Sequence, residues 1–278
     1  MFSDILLTVD YDRTLTAPDG TIPARNLEAI RYFMDNGGAF TVNTGRSIPL
    51  SQDILRQVPM NAPLLAYNGS LAIEDGRIVS QYPIDLPLEQ TLREVCAAFP
   101  DLNVDLHGVK AHFGFQPVGC WKEYYAARNF AHYLAGPDMD YGPFLKFNVY
   151  GRLHDSSFYQ VFSGTPEEIA RVDEAEQWLR DTYGDKVTVL RSGKRMLNVH
   201  APGISKLRAA RELQARLGKK ILVCVGDEGN DLSMLEGADY AFSPAGSPMA
   251  EKFPVVCPCE EGAIADVIYR KLPEILKG

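Results

Sequence analysis

Residues 4–16 read DILLTVDYDRTLT. The run at 5–9 is apolar apart from Thr8 and stops at an acid, the pattern of a short buried strand whose carboxyl end opens onto a polar edge. Working outward, ARNLEAIRYFMDN (24–36) sets Leu27, Ile30, Tyr32, Phe33 and Met34 at roughly helical spacing, and Gly37-Gly38 closes that helix. AFTVN (39–43) reads as a second strand, SIPLSQDILRQV as a second helix and PLLAY (63–67) as a third strand. LAIEDGRIVSQ (71–81) alternates around Asp75-Gly76, a hairpin signal. Strand–helix–strand–helix–strand implies right-handed parallel crossovers. The pattern resumes near the C-terminus. SKLRAARELQARLG (205–218) is amphipathic, KILVCVGD (220–227) is a continuous apolar run, YAFSP is a strand, and GAIADVIYRKL (262–272) is a helix.

The middle segment differs. It contains two helical patterns, LPLEQTLREVCAAF and PEEIARVDEAEQWLRDTYG, and five that look like strands: LNVDLHG, VKAHFGF, FLKFNVYG, SFYQVFSG and KVTVLRS. Residues 84–190 carry 16 acidic and 9 basic side chains, a net of −7, out of −8 for the whole chain. They also hold 17 of the 28 aromatics and four of the five histidines, so composition and pattern shift together. The expected architecture is α/β: a Rossmann-like, doubly wound parallel sheet from residues 1–83 plus 191–278, with an α+β domain inserted over 84–190. A length of 278 residues suits two domains.

Composition removes several function classes. A net charge of −8 and a pI near 5.2 disfavour a nucleic-acid binder. No run approaches 18 apolar residues, so no membrane span is expected. The N-terminal MFSDILLTVDYD has no basic region and does not read as a signal peptide. Cys96, Cys120, Cys224, Cys257 and Cys259 are odd in number and form no framework, which points to reduced thiols in a cytoplasm. The CPC at 257–259 lacks a second Cys or His pair at a zinc spacing.

Polar residues cluster where predicted parallel strands end, the edge at which open α/β sheets bind ligands. Asp10 and Asp12 follow the first strand, Thr44-Gly45-Arg46 the second, Asn68-Gly69 the third, and Gly226-Asp227-Glu228-Gly229-Asn230-Asp231 the strand at 220–225. Lys206 opens the helix that feeds this last strand. One Asp at a strand end is ordinary cap or turn chemistry. Four carboxylates (Asp10, Asp12, Asp227 and Asp231) at one edge call for a hard divalent cation, and Mg²⁺ suits carboxylates with phosphate and water. Lys206 and the Thr44 hydroxyl add a charge and a donor suited to a phosphoryl group.

In this ordered set the chain resembles the haloacid dehalogenase-like superfamily, in its Cof-type sugar-phosphatase-like branch with a C2B cap. The resemblance spans nearly the whole chain and is carried by four motifs. Residues 10–16, DYDRTLT, are similar to DxDxTLT; Thr44 lies in a TGR triplet; Lys206 lies in GISK; and GDEGNDLSML is similar to GDxxND. Arg13 departs from the glycine usual in this branch. It would narrow the pocket, contact substrate or simply face solvent. The resemblance implies Mg²⁺-dependent hydrolysis of small phosphate monoesters through an aspartyl-phosphate. Asp10 would be the nucleophile and Asp12 the acid and then base. The metal would sit on Asp10, the Asp12 carbonyl, Asp227 and Asp231, and the phosphoryl group on Thr44, Gly45, Lys206 and Asn230.

The inserted domain would act as the cap that selects substrate. Candidate substrate contacts are Arg46, Asn68, Lys146, Asn148 and Arg191. Lys146 and Asn148 alternate on FLKFNVYG, so they share one face of that strand. Trp121, Tyr124 and Tyr125 read as core, and the four histidines of the segment show no metal-ligand spacing. The expected partner is a small-molecule phosphate ester, with neither nucleic acid nor membrane, and the chain is expected as a monomer or homodimer. Two other readings use the same residues: a phosphohexomutase like phosphomannomutase, and a catalytically silent phosphosugar-binding protein.

Overall fold

The computed structural model describes residues 1–128, 131–136, 139–140 and 143–277, with the side chains of residues 158 and 159 outside that description. The chain divides into two compact units. One comprises Met1–Gly45, Asp53–Ser80 and Ser205–Gly278, and the other Arg46–Gln52 and Gln81–Ile204.

The first unit is built on a five-stranded sheet in the order Val255–Val256, Tyr240–Pro244, Ile221–Val225, Ile5–Val9, Ala39–Val42. All of its pairings are parallel. The two central strands are the apolar runs singled out above. Leu6, Leu7, Val9, Leu222, Val223 and Val225 are fully buried, as expected for strands covered on both faces. Chain order reverses between Ile5–Val9 and Ile221–Val225: successive elements go outward through Ala39–Val42 on one side and through Tyr240–Pro244 on the other. That makes the edge after Val9 and Val225 a topological switch point, where a crevice must open. Helices Ala24–Asp35 and Lys206–Leu217 are crossovers, and Ala209, Ala210 and Leu213 of the second pack on Leu6, Leu222 and Cys224. The hairpin signal at Asp75-Gly76 is met by a small antiparallel sheet of Leu64–Ala66, Leu71–Glu74 and Arg77–Gln81.

The second unit is α+β. Its six strands run Thr188–Arg191, Met196–His200, Lys146–Tyr150, Asn103–His107, His112–Gln116, His132–Leu134. They pair antiparallel except for the last two. Alternation sorts each strand onto two faces. Val104, Leu106, Phe147, Val149, Leu197 and Val199 form one face, packed with Leu92, Val95, Val172, Ala175 and Leu179 from helices Leu88–Ala98 and Pro166–Tyr183. Thr165 and Glu168 make a reciprocal capping box that starts the second helix. Many of the acids that give this segment its negative charge lie on those helices. Several pair locally, as Glu89 does with Arg93 and Glu176 with Arg180.

Two features differ from the sequence reading. SFYQVFSG alternates like a strand, but residues Phe158–Phe162 form a 3₁₀ turn. Carbonyls that a ladder would use are taken by the buried Arg195, whose guanidinium donates to Gln160 and Ser163 as well as to Arg152. The unit also runs past the expected boundary at 190. Ser192-Gly193 turns the chain, with Ser192 N–H bonded to the Met196 carbonyl at 2.9 Å. One further strand, Met196–His200, then pairs with Lys146–Tyr150 before the chain returns at Ser205.

The other sheet face is polar yet buried. Asp105, His107, His112, Lys146, Asn148, Asn198 and His200 all lie below 5% exposure. Burial drives His107 and His112 well below the ordinary histidine pKa. It takes His200 down to about 3, with the Lys146 charge as a further cause. Burial also pulls Lys146 down to about 7. A histidine kept neutral in the native state takes up a proton only on unfolding. Its contribution is complete above the unfolded value of 6.5 and is lost as pH falls from there toward 3. His200→Gln should therefore gain on wild type by about 2 kcal/mol between pH 7 and pH 5. Urea unfolding at both pH values checks this, and a pH-independent difference would contradict it.

Candidate active site

The site is assembled at the switch point from strand ends of the first unit. Asp10 follows Val9, and its N–H bonds to the Val225 carbonyl at 2.9 Å, so the two central strands set its place. The next residues leave extended geometry in a tight turn. Arg13 takes a left-handed conformation (φ 60, ψ 11), and the Thr16 N–H and hydroxyl close the turn on the Tyr11 carbonyl. That conformation costs a non-glycine residue about 1–2 kcal/mol, which explains why glycine suits this position. Arg13 occupies it regardless. Asp12 lies one residue earlier in the same turn with extended backbone (φ −74, ψ 123).

Lys206 is the centre of the charge arrangement. Its ammonium is fully buried, donating to Asp10 Oδ1 at 2.5 Å and to Asp231 Oδ1 at 2.6 Å. The other oxygen of Asp231 accepts the backbone N–H groups of Asp227 (3.0 Å) and Glu228 (3.1 Å). Asp231 thus organises the loop after Ile221–Val225 as well as the lysine. Gly226 is required by this approach: a Cβ there would lie 2.6 Å from the Asp231 side chain. Thr14 donates its hydroxyl to Asp227 Oδ1 at 3.0 Å, linking the two acidic motifs.

Electrostatics follows from burial. Desolvation pushes Asp10 up to about 7, opposed by Lys206. Desolvation and the neighbouring acids drive Asp227 well above the carboxylate range. Burial opposes the charge on Lys206, but Asp10 and Asp231 outweigh it and hold the lysine above its ordinary value. Carboxylates of Asp10, Asp227 and Asp231 lie within 4.8 Å of one another, the one such grouping of three or more acidic, His or Cys groups among the described residues. One Lys206 ammonium does not balance three acids, and Asp10 Oδ2 and Asp227 Oδ2 carry no hydrogen bond among the described residues. This all-oxygen donor set fits a hard cation such as Mg²⁺. Both Asp231 oxygens are engaged by Lys206 and the loop N–H groups, so Asp10 and Asp227 are the acids of the three that keep an oxygen open.

Thr44, Gly45, Asn68 and Asn230 come together in the same unit. Thr44 N–H bonds to the Leu65 carbonyl, and Asn68 N–H bonds to the Thr44 carbonyl. Asn230 donates to Asn68 Oδ1 at 3.2 Å. A Cβ on Gly45 would lie 2.9 Å from Asn68 Oδ1, so a larger residue there would displace the Asn68 amide. Asn68 reaches this position through consecutive left-handed residues, Tyr67 and Asn68 both at φ 53.

The remaining candidates fall in the second unit. Arg46 donates to the Leu50 carbonyl at 3.1 Å. Lys146 donates to Asn198 Oδ1 at 2.8 Å, and Asn148 contacts His107, on the buried polar sheet face. Arg191 pairs with Asp173 and Glu176 on the adjacent helix. Sequence reasoning missed Asn43, whose buried amide donates to the Lys206 carbonyl at 2.9 Å and anchors the lysine's helix. Its signal was a polar residue ending the apolar run AFTVN. It also missed Asp105 and Tyr150, which join the polar network of the second unit.

A family model described as haloacid dehalogenase-like hydrolase matches residues 7–245. An HMP-PP phosphatase of Serratia proteamaculans is 24% identical over 276 residues, covering 96% of this chain and 95% of that protein. A 5-amino-6-(5-phospho-D-ribitylamino)uracil phosphatase of Bacillus subtilis is 22% identical over 252 residues, covering 85% and 86%. Among solved structures, a haloacid dehalogenase subclass IIB sugar phosphatase superposes with a TM-score of 0.75 at 17% identity, over 98% of both chains. That likeness establishes a shared fold, with an α+β unit inserted in a parallel α/β core.

Replacing Lys206 by Met would leave Asp10 and Asp231 buried without their counter-charge. Removing one partner of a buried pair costs about 3–5 kcal/mol, so Lys206→Met should lose roughly that much stability at pH 7. Burial raises the pKa of Asp10, so the loss should shrink as pH is lowered to 5 and Asp10 becomes neutral. Urea unfolding of both proteins tests this, and a loss under about 1 kcal/mol at pH 7 would contradict the buried-charge account.

Proposed function

The chain belongs to the haloacid dehalogenase-like hydrolase family, and we propose that it is a Mg²⁺-dependent phosphatase of small phosphate monoesters, acting through an aspartyl-phosphate on Asp10. The observation that carries this reading is the buried Lys206 bridging Asp10 and Asp231, with Asp227 completing an acidic triad at the sheet's switch point. A lone carboxylate can attack phosphorus. One held beside a fixed ammonium and a cation-binding pair can do so on a dianionic ester, because the incoming negative charge is met on arrival.

In this reading the Asp10 carboxylate forms a bond to phosphorus as the bond to the alkoxy oxygen breaks. Asp12, two residues along the same turn, gives its proton to that oxygen. It then takes a proton from the water that attacks phosphorus and releases Asp10. Lys206 holds a phosphoryl oxygen and keeps Asp10 oriented. Thr44, Gly45 and Asn230 provide donors around the same group, with Asn68 holding Asn230 in place. Asp10, the Asp12 carbonyl and Asp227 would hold Mg²⁺, with Asp231 behind them; when bound, it supplies positive charge for the phosphoryl oxygens.

The substrates named for the two curated relatives are phosphorylated small metabolites, and we extend that class, sugar phosphates included, to this chain. The inserted unit, with Lys146 and Asn148 on its buried polar face, would select among them. The described cysteines are all free, which supports action in a reducing cytoplasm. No helix among the described residues is long and apolar enough to cross a membrane.

Phosphate release from a generic aryl phosphate should require Mg²⁺, stop with EDTA and return on adding the metal back. Asp10→Asn should lower turnover by ~10³-fold or more while keeping the fold. Turnover by that variant near the wild-type rate would overturn the assignment.

A further inference from the structure

Arg13 stands in the turn after Asp10 at a position that favours having no side chain at all. Its φ of 60 lies in the left-handed region, which glycine enters freely and arginine enters at a cost. Asn68 and Asp75, two of the three other non-glycine residues with positive φ, are types that tolerate this region, and arginine is not.

The turn leaves Arg13 no other conformation. Its N–H bonds to Thr16 Oγ1 at 3.2 Å, the Leu15 carbonyl accepts from the Asn26 amide at 3.0 Å, and Thr14 is tied to Asp227. All of these contacts are compatible with glycine at position 13, and none calls for arginine. A strained residue held by its surroundings beside a reacting centre points to a use for its side chain.

Exposure and charge indicate that use. Tyr11, Thr14 and Leu15 are buried, whereas Asp12 and Arg13 stay half-exposed, so these two side chains meet a solute that reaches the turn. The motif residues (10–16, 44–45, 68–69, 206 and 226–231) include five acids, Asp10, Asp12, Asp227, Glu228 and Asp231, against two cations, Lys206 and Arg13. Lys206 is fully buried and engaged by Asp10 and Asp231. Arg13 is therefore the cation of this set on the accessible side of the turn. A guanidinium matches carboxylate and phosphate with a fork of donors. Among so many acids, a second anion on a substrate would be repelled without such a partner.

We infer that Arg13 determines specificity by reading a second anionic group, phosphate or carboxylate, on the organic part of the phosphate ester. This rests on the reading of Asp10 as nucleophile, and Arg13 takes no part in bond making. The favoured substrates are esters whose alcohol still carries an anion after the phosphoryl group has left. Monophosphates of uncharged alcohols are the poorer class.

Steady-state kinetics of the full chain with Mg²⁺ on matched pairs tests this: 3-phosphoglycerate beside glycerol 3-phosphate, and fructose 1,6-bisphosphate beside fructose 1-phosphate. In at least one pair the doubly anionic ester should have a kcat/KM tenfold or more above its partner's, chiefly through KM. Arg13→Gly should cut that ratio about tenfold, the worth of one charge-assisted contact. The same variant should unfold in urea at or above the wild-type midpoint, because glycine relieves the left-handed strain. Arg13→Lys keeps the charge but loses the fork, and should keep only part of the preference. A purely structural role would lower both members of a pair alike and leave the ratio intact. An intact ratio in Arg13→Gly, or equal kcat/KM within every pair by a wild-type chain that hydrolyses an aryl phosphate, would overturn this inference alone. No Mg²⁺-dependent release even from the aryl phosphate would overturn the phosphatase reading, and this inference with it.

Discussion

A single ammonium buried between two carboxylates organises the parallel-sheet unit. Lys206 has no exposure, and its hydrogens are directed by Asp10 after the first strand and by Asp231 in the loop after Ile221–Val225. Burying three charges is costly unless each is met, and here geometry meets them only if the strands at 5–9 and 221–225 end side by side. Their parallel register does this, pairing Val9 with Val225. The apolar runs that bury those strands are therefore what allow the charges to be buried at their ends. The excess of carboxylate over ammonium is not a packing fault but the feature that gives the edge its chemistry.

The surrounding residues serve that arrangement through local contacts. Gly226 lets Asp231 fold back on the loop, Thr14 ties Asp227 to the first motif, and Asn43 holds the first turn of the lysine's helix. Ser243 on the neighbouring strand donates to the Gly226 carbonyl at 2.9 Å, fixing the same loop from its other side. Most of these contacts join segments far apart in sequence, so the site depends on the sheet order and not on any one motif.

The core and its acidic edge were legible in the sequence because their signals are local: a short apolar run, then an acid. Lys206 was legible through its place at a helix start, and Gly45 through its neighbours. Other features were not, because they arise only when distant strands meet. Asp105, His107, Asn148 and Asn198 sit on three separate strands, and nothing near any of them marks a shared face until the order of the sheet is known. Lys146 and Asn148 could be put on one face by alternation, yet their burial could not be read that way. SFYQVFSG misled for a related reason: Arg195, which lies 32 residues beyond Ser163, claims carbonyls of that segment. The segment 192–200 closes one more hairpin than composition suggested, since its Met196–His200 strand resembles the core strands in pattern.

The central claim is that Asp10 receives the phosphoryl group. The direct measurement is an acid quench during steady-state turnover of a phosphate ester with Mg²⁺, followed by proteolysis and mass spectrometry. Asp12→Ala would be used alongside wild type with an aryl phosphate, whose phenolate leaves without an acid, so that loss of the base that activates water lets the intermediate accumulate. The account predicts a phosphoryl group on the peptide bearing Asp10 and on no other carboxylate. Turnover with no phosphorylated peptide at any time, or a phosphoryl group on a different residue, would contradict it.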